Sequence, residues 1–311
     1  MTRAVVFAYH DVGVRCLGAL LDAGVAVPLV VSHRDDPGEN IFFGSVAKLA
    51  ASHGIECIYP DEPNTAEMVA RVRDLKPDFL FSFYYRRMLR PDLLACAPRG
   101  AFNMHGSLLP SFRGRAPVNW AVLHGAQETG ATLHEMVAKP DAGRIVDQEA
   151  VPIGTDDTAA EVFARVTGAA DVVMRRALPK LLDGSAVLRP QDLAQGSYFG
   201  GRKPEDGRID WRQGAQAVHN LVRAVAPPYP GAFTTVAGVE LKILKTRLLQ
   251  QGMSIAAPPV LYAAPQAKHL VAVCADSSAL EVITMEVDGK AFTLPQFLSR
   301  FGPDPITLPV S

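Results

Sequence analysis

At 311 residues, with 48% hydrophobic, 20% charged and 7% aromatic side chains, the chain has the make-up of a globular protein of one large or two ordinary domains. Lys and Arg number 31 against 32 Asp and Glu, which excludes the positive field of a dedicated nucleic-acid binder and points to small-molecule partners. No apolar run approaches the roughly 18 residues of a membrane span, and "MTRAVVFAYH" is too short for the apolar core of a signal peptide, so a cytoplasmic protein is expected.

Short apolar runs alternate with amphipathic stretches through the first half. "AVVFAY" (4–9), "VAVPLVV" (25–31), "GIECIYP" (54–60), "DFLFSFYY" (78–85) and "GAFNMH" (100–105) read as buried strands. Residues 43–53 and 66–75 carry apolar side chains at helical spacing, and strand–helix alternation of this kind predicts a parallel sheet covered on both faces. "ATLHEMV" (131–137) and "IVDQEAVPI" (145–153) are further strands joined through the turn "KPDAG", and a long helix is expected over 158–182. The text changes at "YFGGRKPEDGRIDW" (198–211), where Gly, Pro and charge cluster as in a connection between domains. A helix over 214–226, the turn "PPYPGAF" and then short strands predict a small β-rich, barrel-like unit. The expected division is therefore 1–203, an α/β domain with a mostly parallel sheet, and 204–311, the β-rich subdomain. Cys16, Cys57, Cys96 and Cys274 form no C-x-x-C pair, so neither a zinc site nor a disulfide framework is indicated.

The stretch "NMHGSLLPSFRGRAPVNW" (103–120) carries the chemistry. In an extended segment residues two apart face the same way, so Asn103 and His105 point together from the carboxyl end of their strand, the edge where open parallel sheets bind ligands. An Asn amide can donate to an oxygen that becomes negative in acyl transfer, and an imidazole can take the proton an attacking amine loses. A carboxylate that supports the imidazolium is offered by Asp141 in the "KPDAG" turn. Spacing alone equally allows an Asn-x-His pair that closes a loop with backbone hydrogen bonds, and an Asp that does no more than shape its turn.

"NMHGSLLPSFRGRAP" resembles the N-x-H-x-S-L-L-P-x-x-R-G signature of enzymes that use 10-formyltetrahydrofolate, among them glycinamide ribonucleotide transformylase, methionyl-tRNA formyltransferase and the sugar-nucleotide N-formyltransferases. "FAYHDVG" (7–13), "FSFYYRRML" (81–89) and "RAVAPPYPGAF" (223–233) look most like the formyltransferase half of the ArnA-type bifunctional polymyxin-resistance proteins. That resemblance implies a Rossmann-like formyltransferase domain followed by an OB-like subdomain. It implies that Asn103 steadies the oxyanion, His105 accepts and returns the proton, and Asp141 supports His105. Folate would lie along Arg87, Met88 and Leu89, with Arg115 and the loop Val137, Ala138, Lys139, Pro140 and Asp141 around it. The implied reaction is formylation of the 4-amine of UDP-4-amino-4-deoxy-L-arabinose, on the route to lipid A carrying aminoarabinose. "DVGVRCLG" holds no G-x-G-x-x-G, so no NAD is expected, and no metal. The chain covers the transfer half of the bifunctional relatives, so only that step is expected of it.

For the sugar nucleotide, His10 in the first strand-to-helix loop and Arg202 in "YFGGRKPEDG" are candidates, against an ordinary loop histidine and linker arginine. Tyr229 either stacks on a base or packs under its turn. The alternative reading as a methionyl-tRNA formyltransferase requires a basic C-terminal region, yet residues 205–311 hold nine Lys and Arg against nine Asp and Glu. A non-catalytic folate or sugar-nucleotide binding protein is the other alternative, and the three candidate catalytic residues speak against it.

Overall fold

The structure, a computed structural model, describes residues 1–38, 40–249, 259–263 and 268–309. Two compact units result. The first comprises Met1–Val118, Glu128–Pro152 and Phe163–Gly200; the second comprises Asn119–Gln127, Ile153–Val162 and Gly201–Ser311.

In chain order the first unit brings β1 (Arg3–Ala8), α1 (His10–Asp22), β2 (Ala26–Val31), α2 (Val46–Ser52), β3 (Glu56–Ile58), α3 (Ala66–Asp74), β4 (Phe79–Phe83), α4 (Pro91–Leu94), β5 (Ala101–His105) and β6 (Arg113–Gly114). After α5 (Pro117–Leu123), most of which belongs to the second unit, follow β7 (Glu128–Glu135), β8 (Ile145–Pro152), α6 (Ala159–Asp183), whose first residues also belong to the second unit, and β9 (Tyr198–Phe199). The sheet runs β3-β2-β1-β4-β5-β7-β8. Its first five strands are parallel; β7 and β8 are antiparallel. The short connection through the "KPDAG" turn leaves no room for the crossover that parallel pairing requires, so β7 and β8 form a hairpin.

Alternate residues explain why the sheet is covered on both faces. Val5, Phe7, Leu29, Val31 and Leu80 pack with Met68, Val69 and Val72 of α3 and Leu93 of α4. The intervening Val6, Ala8, Val30, Phe81 and Phe83 are buried as well, so these strands read as continuous apolar runs. The predicted strands and the long helix appear within a few residues of their expected places, while His10, placed in the first strand-to-helix loop, is the first residue of α1.

The second unit contains α7 (Ala215–Val225), β10 (Ala232–Val236), β11 (Val239–Leu248), β12 (Val260–Ala263), β13 (Leu270–Val273), β14 (Ala279–Val287), β15 (Lys290–Ala291), α8 (Leu294–Phe301) and β16 (Ile306–Thr307). Its sheet runs β10-β11-β14-β13-β12-β16, antiparallel throughout, with β15 added on β14. Trp211 lies fully buried in its core, and the indole N–H donates to Thr234 Oγ1 at 2.9 Å. Among the described residues no helix is long and apolar enough to cross a membrane.

Arg223 on α7 holds the two early segments inside this unit. Its guanidinium is buried and donates to Asn220 Oδ1 and to the carbonyls of Val122, Gly154 and Asp157. Arg223→Met strands those carbonyls, each losing a charge-assisted partner worth about 1.5–3 kcal/mol. We expect a loss of about 3 kcal/mol or more in urea unfolding, with Arg223→Lys failing to recover it because an ammonium cannot reproduce the fork. An unfolding midpoint equal to wild type in either variant contradicts this assignment.

Candidate active site

Asn103 and His105 leave β5 on one face, as their spacing requires, at the edge where β1, β4 and β5 all end. The chain then turns at Gly106, where a β-carbon would overlap the Tyr84 hydroxyl, so no larger residue fits. The following loop is tied down by polar contacts. Thr132 Oγ1 donates to Ser107 O at 2.6 Å and accepts from Leu109 N at 3.1 Å, and Gln148 Nε2 donates to Leu109 O at 2.9 Å.

Asp141 reaches the same place from the turn between β7 and β8. It adopts φ +50, a conformation that Asp tolerates better than most residues. One carboxylate oxygen accepts from Gly114 N at 2.8 Å. The other stands 3.7 Å from His105 Nδ1 and 3.5 Å from His134 Nε2. Gln191 secures the turn by donating to Asp141 O at 3.1 Å. Gly114, at φ +98, is required as glycine because a β-carbon there would overlap the Phe199 carbonyl.

The proton assignments follow from what each nitrogen faces. His105 Nε2 meets the Phe112 carbonyl at 2.9 Å and so carries a hydrogen, which leaves Nδ1, beside Asp141, as the nitrogen for proton exchange. His134 Nδ1 likewise donates to Glu135 O at 2.9 Å. In the neutral ring its Nε2 accepts from Asn103 Nδ2 at 3.1 Å, fixing the amide and leaving the second N–H of Asn103 for an incoming oxygen. Asn103 and His134 are paired directly across β5 and β7, so sheet register makes this contact. Sequence reasoning missed His134; its place in "ATLHEMV" inside a predicted strand was the available signal.

Burial opposes ionisation of Asp141, but the charge His105 carries when protonated, the hydrogen bond and charge His134 supplies when its Nε2 is also protonated, and the Gly114 N–H outweigh it. Its carboxyl is held well below the usual carboxylate range. An anion flanked by two imidazoles and an amide with a free N–H can stabilise an imidazolium and an oxyanion together, the two charges that develop when an amine attacks an acyl carbon.

Next to this corner, Arg86, Arg87 and Met88 are exposed while Leu89 turns into the core. Met88 is 53% and Val137 37% exposed, so both loops named from the sequence present large apolar groups to solvent. Arg115 is exposed, and its guanidinium donates to Arg86 O at 3.3 Å. Ala138 and Lys139 are exposed and Pro140 half-buried. Asn64, which the sequence did not single out, clamps this segment by donating to Met88 O at 2.9 Å and accepting from Arg90 N at 2.7 Å.

His10 lies at the carboxyl edge of β1 among Phe43 (ring centroids 3.9 Å apart), Phe42, Phe163 and Tyr84, which is the packing of a structural histidine. In the second unit, Arg202 lies 4.8 Å over the Trp120 ring and donates to Asp206 O. Tyr229 packs against that unit's core and hydrogen-bonds Asn119, the turn-packing alternative.

Comparisons with known proteins identify the family. Residues 12–178 match the model of the formyl transferase family, and residues 202–302 match that of the formyl transferase C-terminal domain. The chain belongs to the formyl transferase family, and it is a formyl-transfer enzyme. Among solved structures it is similar to an N-formyltransferase from Helicobacter canadensis in complex with folinic acid and dTDP-3-aminofucose, with 20% identity and a TM-score of 0.73, covering 91% of this chain and 99% of that one. It is also similar to WlaRD, a sugar 3N-formyltransferase solved with dTDP and 5-N-formyl-tetrahydrofolate (18% identity, TM-score 0.70, 93% and 99% covered). A sugar N-formyltransferase from a Shewanella species matches at 18% identity and a TM-score of 0.62, over 78% of this chain and 96% of that one.

The depressed carboxyl of Asp141 makes stability depend on pH with a definite sign. As pH falls through the ordinary carboxylate range the unfolded chain takes up the proton first, so the stabilisation is complete above that range and lost below it. Asp141→Asn should cost about 1–3 kcal/mol at pH 7, and the difference from wild type should shrink below about pH 4 in urea unfolding. A difference that stays constant from pH 7 to pH 3 contradicts the ion-pair account.

Proposed function

We propose that this chain transfers a formyl group from 10-formyltetrahydrofolate to the amine of an amino-sugar nucleotide. The observation that carries the reading is the meeting of Asn103, His105 and Asp141 at one sheet edge, with the carboxylate 3.7 Å from the imidazole. The folate supplies the formyl group on a nitrogen. Met88 and Val137 would hold its flat ring system between apolar side chains, and Arg87 and Arg115 its carboxylates. His105 collects the proton that the attacking amine loses and returns it to the departing nitrogen. Asn103 donates its free N–H to the carbonyl oxygen as that oxygen gains charge, and Asp141 stabilises the imidazolium.

Within that class, the motifs "FSFYYRRML" and "RAVAPPYPGAF" favour the 4-amine of UDP-4-amino-4-deoxy-L-arabinose, the ArnA-type substrate, and with it a place in lipid A modification and polymyxin resistance. A dTDP-linked amino sugar is the second reading. It is favoured by the dTDP-3-aminofucose and dTDP bound in the two structural neighbours.

Incubation with 10-formyltetrahydrofolate and a panel of UDP- and dTDP-amino sugars, read by mass for gain of a formyl group, tests the reading; faster turnover on charged initiator tRNA would overturn it. In the same assay Asn103→Ala should lower kcat about 10²–10³-fold and His105→Ala about 10²–10⁴-fold, with folate binding retained. Wild-type turnover in His105→Ala would favour the binding-protein alternative.

A further inference from the structure

The carboxyl edge of the first unit's sheet holds a cavity of about 260 Å³ away from the catalytic corner. It is lined by Tyr9 beyond β1, by Ser32, His33, Arg34 and Asp35 beyond β2, and by Tyr59 beyond β3. This is the edge at which doubly wound sheets take up ligands, and the formyl-transfer chemistry above uses none of these side chains.

Their chemistry is ordered. The Arg34 guanidinium lies 5.0 Å from the centroid of the Tyr59 ring, and a cation on an aromatic face makes a wall for a planar, polar ring. Asp35 takes a hydrogen bond from the Tyr9 hydroxyl on one oxygen at 3.0 Å, and an ionised carboxylate has acceptor sites to spare for a pair of neighbouring hydroxyls. His33 Nε2 accepts Arg86 N–H at 2.9 Å, so the neutral ring carries its hydrogen on Nδ1 and is a donor there. Burial first, then the charges of Arg86 and Arg87, push the imidazole down to about 4, which keeps it neutral at physiological pH. The Arg86 guanidinium sits 4.8 Å from the Tyr9 ring centroid, on the side of β4.

A planar ring, a diol and an anion, in that order, are the parts of a ribonucleotide. We propose that this cavity is a ribonucleoside site, with the base against Arg34 and Tyr59, the ribose hydroxyls on Asp35 and the phosphates passing Arg86. Sheet order β2-β1-β4-β5 sets the cavity about 14 Å from the catalytic strand, three strand spacings. A sugar diphosphate held by its nucleoside here extends along the edge toward His105. The assignment rests on the amino-sugar reading for that direction alone. It also adds a basis for choosing between nucleotides: a carboxylate that binds both ribose hydroxyls favours UDP over dTDP, which lacks one of them.

Calorimetric titration with UDP, dTDP and folinic acid tests this on the wild type, Asp35→Ala and Tyr59→Ala. Wild type should bind UDP roughly tenfold more tightly than dTDP. Asp35→Ala should erase that preference, Tyr59→Ala should weaken both nucleotides about tenfold or more, and folinic acid affinity should not change, which reports that each variant is folded. Unchanged nucleotide affinity in both variants, or no preference for UDP in the wild type, overturns the site. Competition between UDP and the amino-sugar nucleotide identifies the substrate's own nucleotide as the occupant, and UDP binding without competition identifies a free nucleotide; both keep the site. If UDP binds as expected but no amino sugar is formylated, the substrate reading fails and the cavity assignment stands. Formylation with KM unchanged in both variants has the opposite meaning.

Discussion

The catalytic edge depends on one carboxylate kept ionised where burial works against it. Asp141 remains an anion because a backbone N–H and two imidazoles converge on it, and each of the three comes from a different part of the chain. Remove that charge and His105 loses the anion beside its Nδ1, while His134 loses the partner that faces the same nitrogen as Asn103. The carboxylate is therefore a structural hub as well as an electrostatic one.

Its position is the work of backbone that only certain residues allow. Gly114 delivers the N–H from a left-handed conformation, and Gly106 lets β5 turn beneath Tyr84. Thr132 and Gln148 carry the loop after His105, Gln191 carries the turn at Asp141, and His33 and Asn64 pin either end of the Arg86–Arg90 segment. Leu89, buried in the core, anchors that segment so that Met88 and Arg87 stand in solvent. Side chains with no part in the chemistry hold the backbone that presents those with one.

Much of this was legible in the sequence because it rests on local periodicity. Strands buried on both faces announced themselves as apolar runs, and the two-residue spacing of Asn103 and His105 put both on one face at the productive edge. What escaped was set by pairing between distant segments. His134 meets Asn103 only through the antiparallel register of β5 and β7, which no single stretch encodes. The buried guanidinium of Arg223 meets the carbonyls of Val122 and Gly154, contacts across more than sixty residues that appear only once α7 is placed. His10 stood as a sugar-nucleotide candidate or an ordinary loop histidine, and the aromatic rings around it, from three other parts of the chain, were not legible locally. Strand β10 hid inside a segment rich in turn residues, and α8 is a single short helix with Pro in its first turn.

The central claim is that His105 and Asp141 act as one unit in proton handling. Turnover of formyl transfer in His105→Ala, Asp141→Asn and the double variant tests it most directly. Acting together, the two residues should give a double variant no slower than His105→Ala alone. Losses that multiply in the double variant would show two independent contributions and contradict the account.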